Sequence, residues 1–198
     1  MTKLSWLLAS SILTSVVVSA GTAQNPPAPP APAPASSRPA LVTQTPQIDC
    51  NWLSVDTTAK KATFQVTAGL TTLNGGLNFN GFKDGGLTLS IPLNWNVVIA
   101  FRNHDTVLPH SAEVIDTVKP LPPGPADPAF PRAQTVRLQQ GLGAEEADTV
   151  RFVANKAGSY MIFCAVPGHG LAGMWIRLKV SADDKRPTLI ATTAAAGR

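Results

Sequence analysis

Between residues 48 and 181, apolar side chains recur mainly at every second position, in runs of five to eight residues broken by glycine, asparagine and aspartate. Lys61 to Ala68 is the clearest case, with Ala62, Phe64, Val66 and Ala68 alternating with Lys61, Thr63, Gln65 and Thr67. Side chains alternate across a strand, so this period presents one face to a core and the other to water. It predicts strands over Trp52–Thr57, Lys61–Ala68, Leu77–Phe82, Leu87–Ile91, Asn96–Arg102, Ala112–Val118, Thr149–Ala154, Ser159–Cys164 and Met174–Ser181. Gly75-Gly76, Asp84-Gly85-Gly86 and Asn155-Lys156-Ala157-Gly158 punctuate them. With many short strands and no long helical period, the expected fold is all-β, a Greek-key sandwich.

The two ends of the chain do not share this pattern. Lys3, the apolar run Trp6 to Ala20 and the small residues Ala20 to Ala23 have the form of an export signal over residues 1–23. The run is short of the ~20 residues that span a bilayer comfortably, but extension through Leu4 leaves an uncleaved anchor as the alternative. Residues 24–47 are rich in proline and alanine, poor in backbone donors and in core-forming side chains, and read as an extended tether. Residues 182–198 read as a flexible tail. A domain over 48–181 remains, and the expected location is periplasmic or otherwise extracytoplasmic, with a membrane tether through the N-terminus as an option.

The formal net charge of +4 belongs mostly to those ends. Residues 48–181 hold eleven Lys and Arg against ten Asp and Glu, so the domain is nearly neutral. A nearly neutral surface gives no footprint for nucleic acid or for strong steering to an acidic partner.

The candidate chemistry sits after the eighth predicted strand. Cys164, His169 and Met174 share one short loop with four residues between each pair, and Pro109-His110-Ser111 supplies a second imidazole 54 positions before the cysteine. Thiolate, two imidazoles and a thioether form a soft, mixed donor set. A His2Cys plane with a weak axial Met is the coordination set of a mononuclear blue-copper electron-transfer centre, because soft sulfur holds Cu(I) while imidazole also suits Cu(II). Only three histidines exist, so after His110 and His169 only His104 remains, too few for the second copper of a multicopper oxidase or a copper nitrite reductase. A dinuclear site needs two cysteines on the ligand loop, and Cys50 lies far upstream. Within Ser159 to Cys164 the period of two puts Tyr160, Ile162 and Cys164 on one face and Met161 and Phe163 on the other. Met161 is therefore a packing residue, and Met174 is left as the axial donor.

The segment Gly158-Ser159-Tyr160-Met161-Ile162-Phe163-Cys164, followed by Val166-Pro167-Gly168-His169 and Gly173-Met174-Trp175, resembles the last strands of a cupredoxin. Together with Leu77-Asn78-Phe79-Asn80-Gly81-Phe82 and Leu108-Pro109-His110-Ser111, it is similar specifically to the sulfocyanins, and its ligand-loop spacing also to rusticyanin. The resemblance covers about residues 50 to 181. It implies a cupredoxin sandwich that binds one Cu(I)/Cu(II) ion through His110, Cys164, His169 and Met174, and a monomeric carrier, not an enzyme, that serves respiratory-chain redox proteins.

Docking is expected through the small apolar residues Pro167, Gly168, Leu171, Ala172 and Gly173 around His169, since weak redox encounters use small interfaces. Phe163, facing outward beside the ligand, is a side route for electrons or simple cover of the sheet. Ser111 is expected to support the donors from behind. Cys50 is expected to be a buried free thiol, because a disulfide to Cys164 would destroy the site. His104 reads as a solvated turn residue. The proline-rich stretch Lys119 to Pro131 is longer than a typical connection and reads as either a partner-specific docking element or a surface loop. Two other functions compete: a periplasmic copper store or chaperone, and an enzyme with Cys164 as nucleophile and His169 as base, the latter weakened by the lack of a third group to orient the base.

Overall fold

The computed structural model describes residues 46–192. The predicted signal segment, and all of the tether except residues 46 and 47, lie outside the described residues. Among those described, no helix is long and apolar enough to cross a membrane.

Among the described residues, nine strands form two sheets: β1 (Leu53–Asp56), β2 (Lys61–Ala68), β3 (Leu87–Pro92), β4 (Asn96–Asn103), β5 (Glu113–Asp116), β6 (Ala147–Val153), β7 (Gly158–Phe163), β8 (Trp175–Ser181) and β9 (Thr188–Ala191). One sheet has the order β1-β2-β4-β6 and the other β5-β7-β8-β3-β9. The β2–β4 and β3–β8 pairs are parallel and the rest antiparallel. The all-β sandwich read from the alternation is the observed fold.

The alternation explains how the sheets meet. In β2 the even residues Ala62, Phe64, Val66 and Ala68 are fully buried, and the parallel register sets them beside Val97, Ile99 and Phe101 of β4. Val150 and Phe152 continue that layer, while Leu87, Leu89 and Ile91, Tyr160 and Ile162, and Ile176, Leu178 and Val180 form the facing one. Burying so many large apolar side chains, at about 1.5–3 kcal/mol each, is what fixes the sandwich and the strand ends that carry the donors.

Three expectations need correction. The predicted strand Leu77–Phe82 is a compact turn with only isolated bridges, Ala68 to Phe79 and Phe79 to Phe82. Asn80 and Gly81 both take positive φ there, which no strand accommodates. The domain extends past residue 181, where the tail was expected to begin: Thr188–Ala191 pairs antiparallel with β3 and covers its free edge. Cys50 is a free thiol but an exposed one, in a short 3-10 turn that buries none of its residues.

β7 departs from simple alternation, with Tyr160 through Phe163 all buried. Its second face is covered as well. Ile115, Met161, Phe163 and Ala165 form a separate small cluster, packed against Leu121, Ala126, Leu138 and Trp175. The proline-rich stretch is thus a strap across this sheet. Gly168 donates its amide to the Pro123 carbonyl at 2.9 Å and Ala129 to the Val114 carbonyl at 2.8 Å. Phe163 is 1% exposed under that cover, which fits the second of its two readings, a packing residue of the sheet, and leaves it no outward face.

Candidate metal centre

His110, Cys164 and His169 come together at one end of the sandwich, their nearest donor atoms all within 4.8 Å of one another. Each is held by its own backbone. His110 is locked to Leu142 by two reciprocal bonds, its amide donating at 3.0 Å and its carbonyl accepting at 2.7 Å. The buried amide of Asn103 ties the same loop down by donating to the carbonyls of Leu108 and Leu142, both at 2.9 Å.

Cys164 follows β7, and its amide donates to the Met174 carbonyl at 3.0 Å. Between them the ligand loop folds back on itself. The His169 amide donates to the Val166 carbonyl and the Met174 amide to the His169 carbonyl, both at 3.1 Å. Gly170 is required where the loop passes over Phe163, since a Cβ there would lie 1.8 Å from the ring. Met174 is fully buried, in the same apolar cluster as Cys164.

The Cys164 sulfur is the meeting point. Nδ1 of His169 lies 3.6 Å from Sγ, and the Ser111 amide donates to Sγ across 3.5 Å. The Ser111 hydroxyl donates to the Leu138 carbonyl at 2.8 Å and accepts from the Ala165 amide at 3.2 Å, which joins the two donor loops. The two imidazoles lie 5.2 Å apart, centroid to centroid, tilted by 57°. His110 is wholly buried, whereas His169 is partly exposed.

Burial dominates the electrostatics. It lowers the pKa of His110, against an opposing hydrogen bond and charge from Asp105. It brings His169 down to about 4, with help from the His110 charge and against Asp105. Both rings are therefore neutral near pH 7 and keep a free lone pair. Burial also raises the Cys164 thiol, although the amides of Ser111 and Val166 and the Ser111 hydroxyl oppose it. A buried thiol becomes a thiolate readily only when a cation compensates the charge.

One atom tests the fit to a metal directly: Nδ1 of His110 is buried with no hydrogen-bond partner. Orphaned buried polar atoms are uncommon because each costs about 1–3 kcal/mol, and a metal ion held with Cys164 and His169 would be the partner this one lacks. Two imidazoles and one thiolate in a buried, mononuclear cluster are a copper donor set.

Sandwich and donor set together define a cupredoxin, whose cofactor is one copper ion. The sulfocyanin (SoxE) domain family matches residues 50–191, and the chain belongs to that family. Sulfocyanin of Sulfolobus acidocaldarius is 29% identical over 118 residues, 56% of this chain and 58% of the relative. The chain thus spans less than two thirds of that relative. Among solved structures, rusticyanin from Thiobacillus ferrooxidans covers 66% of this chain and 86% of its own, at 22% identity and a TM-score of 0.43. Auracyanin A, described as a blue copper protein from Chloroflexus aurantiacus, covers 61% and 99%, at 23% identity and a TM-score of 0.45.

Of the four sequence-predicted donors, the structure brings His110, Cys164 and His169 together and places Met174 in the core beside Cys164. Met161 lies on the opposite face, as its period required. His104 is exposed, with its Nδ1 3.0 Å from Glu145 Oε1. The sequence reading missed Asp105, whose Oδ2 lies 3.3 Å from Nε2 of His110. The Asn103-x-Asp105 spacing announces a turn but does not show that the carboxylate reaches the ligand.

Proposed function

We propose that this protein is a single-electron carrier that works outside the cytoplasm and exchanges electrons with respiratory redox proteins. One observation carries the ligand assignment: His110, whose buried Nδ1 has no hydrogen-bond partner, lies in one cluster with the Cys164 thiol and the His169 ring. His110, Cys164 and His169, with the Met174 thioether as a fourth and weaker donor, would hold the ion. When bound, copper supplies a reversible one-electron couple. The chain supplies a fixed frame: two donors sit on loops that the Leu142 and Met174 backbone bonds lock, so little rearranges between the two charge states. The Ser111 amide draws density from the sulfur, a standard means of tuning such a centre.

His169 is the port in this reading, because it is partly exposed while His110 is wholly buried. Pro167, Gly168, Leu171 and Ala172 surround it, all exposed, with Leu171 at 54%. The export-type N-terminus supports a location outside the cytoplasm, and the family supports the electron-transfer role. The test is a visible spectrum with voltammetry on the copper-loaded protein. An intense thiolate-to-copper band, absent in Cys164→Ala, and a reversible one-electron wave without metal loss are expected. A colourless Cu(II) form would overturn the ligand assignment. A wave accompanied by copper release would make the protein a copper store or chaperone.

A further inference from the structure

From the geometry around Asp105 we infer that this carboxylate is a positioning residue for the metal centre: it fixes His110 with Nδ1 bare and Nε2 protonated, and its negative charge holds the reduction potential down. The inference rests on the copper reading above. His110 is fully buried, so its Nε2 has no access to water, and Asp105 Oδ2 is the acceptor in reach, at 3.3 Å with its side chain 12% exposed. A carboxylate accepts only, so the proton of the neutral ring goes to Nε2 and the lone pair to Nδ1, the buried nitrogen left without a partner.

The carboxylate is itself held in place. Its Oδ1 accepts from the amides of Val107 at 2.8 Å and Leu108 at 3.0 Å, and the Asp105 amide donates to Asn103 Oδ1 at 2.9 Å. Two glycines from another loop make room for it. A Cβ on Gly69 would lie 2.6 Å from the Asp105 Cβ, and one on Gly76 would lie 2.3 Å from Oδ2. Three donors therefore converge on two oxygens: Val107 N–H, Leu108 N–H and His110 Nε2–H. Asparagine cannot serve all three, because one end of its amide is an NH2 group that would meet a donor.

A fixed anion against a buried ligand favours the more highly charged Cu(II) form, through a ring whose basicity it raises. Asp105→Asn in the full-length copper protein is the test. The expected variant stays blue, while its relative affinity for Cu(I) over Cu(II) rises about tenfold, a rise in potential of about 59 mV for one electron. A blue variant with the wild-type potential would overturn the inference, even if its apoprotein melts earlier, since a purely structural role moves only the melting temperature. A second measurement needs no variant. In wild-type apoprotein, 15N-resolved NMR should show His110 as the Nε2–H tautomer with slow proton exchange. The Nδ1–H tautomer, or fast exchange, would overturn the role of Asp105 whether or not the loaded protein is blue.

Discussion

The Ser111 amide points at the Cys164 sulfur across 3.5 Å, so the residue that follows one donor in sequence is a hydrogen-bond donor to another. Ser111 also accepts the Ala165 amide through its hydroxyl, which makes it the seam between the two donor loops. Ser111→Ala keeps the first bond and removes the second. The buried Ala165 amide then loses its acceptor, at about 1–3 kcal/mol. Urea denaturation of the apoprotein should show that loss, while the spectrum of the copper form stays close to wild type.

Met174→Leu tests the axial assignment. An apolar group in that position disfavours the more charged Cu(II) state, so the potential should rise while the blue band persists. The two side chains are close in volume, so the core should lose less than about 1.5 kcal/mol. Loss of copper from this variant, followed by metal analysis after dialysis, would mean that Met174 is a principal donor.

Stability of the apoprotein should fall on both sides of a plateau. The folded state keeps His169 neutral down to about pH 4 and holds His110 below its usual value, whereas the unfolded chain protonates both near 6.5. The unfolded state therefore binds more protons between about pH 6.5 and 4, and stability is lost as pH falls through that window. On the alkaline side the raised Cys164 thiol keeps its proton after the unfolded thiol has lost it near 9, so stability declines again. Denaturant midpoints of the apoprotein between pH 4 and 10 would show both limbs, and Cys164→Ala should shift the alkaline one upward toward pH 10, where the Tyr160 hydroxyl, also raised by burial, takes over.

Leu171→Glu should disturb docking without disturbing the metal. The side chain is exposed on the ligand loop, in a nearly neutral domain, so a charge there opposes the meeting of two apolar patches. Electron self-exchange, in which two such patches meet, should slow about tenfold, equivalent to about 1.4 kcal/mol. NMR line widths of mixed oxidation states at low and high salt would measure it. Unchanged self-exchange would move the port away from His169.

Much of the site could be read from the chain because its key relations are local. Cys164, His169 and Met174 are spaced by one loop, and the period of β7 alone removes Met161. Relations between distant segments were not legible. Asp105 becomes a partner of His110 only because Gly69 and Gly76, some thirty residues earlier, clear a space for it. β9 is four residues long with three of them exposed, so it carries almost no pattern of its own and is defined by its pairing with β3. The Asn80-Gly81 dipeptide was a turn signal hidden inside an apolar run, and the aromatic alternation around it outweighed that signal. Nothing periodic in Lys119–Pro131 indicated that it would lie over Phe163, because proline-rich backbone reveals its packing partner only through what it covers.

The double cover of β7 has a consequence for how the protein acquires its metal. The strand that leads to Cys164 is packed on one face by the main core and on the other by the proline-rich strap, and both layers are built from apolar contacts. Its order therefore comes from hydrocarbon and not from coordination, unlike small metal-dependent domains in which ligation supplies the folding energy. The affinity for copper is then available entirely for retention and for discrimination between oxidation states. Demetallation should leave a folded receptor whose thiol reacts with alkylating reagents slowly and which recovers its colour on mixing, without a refolding phase.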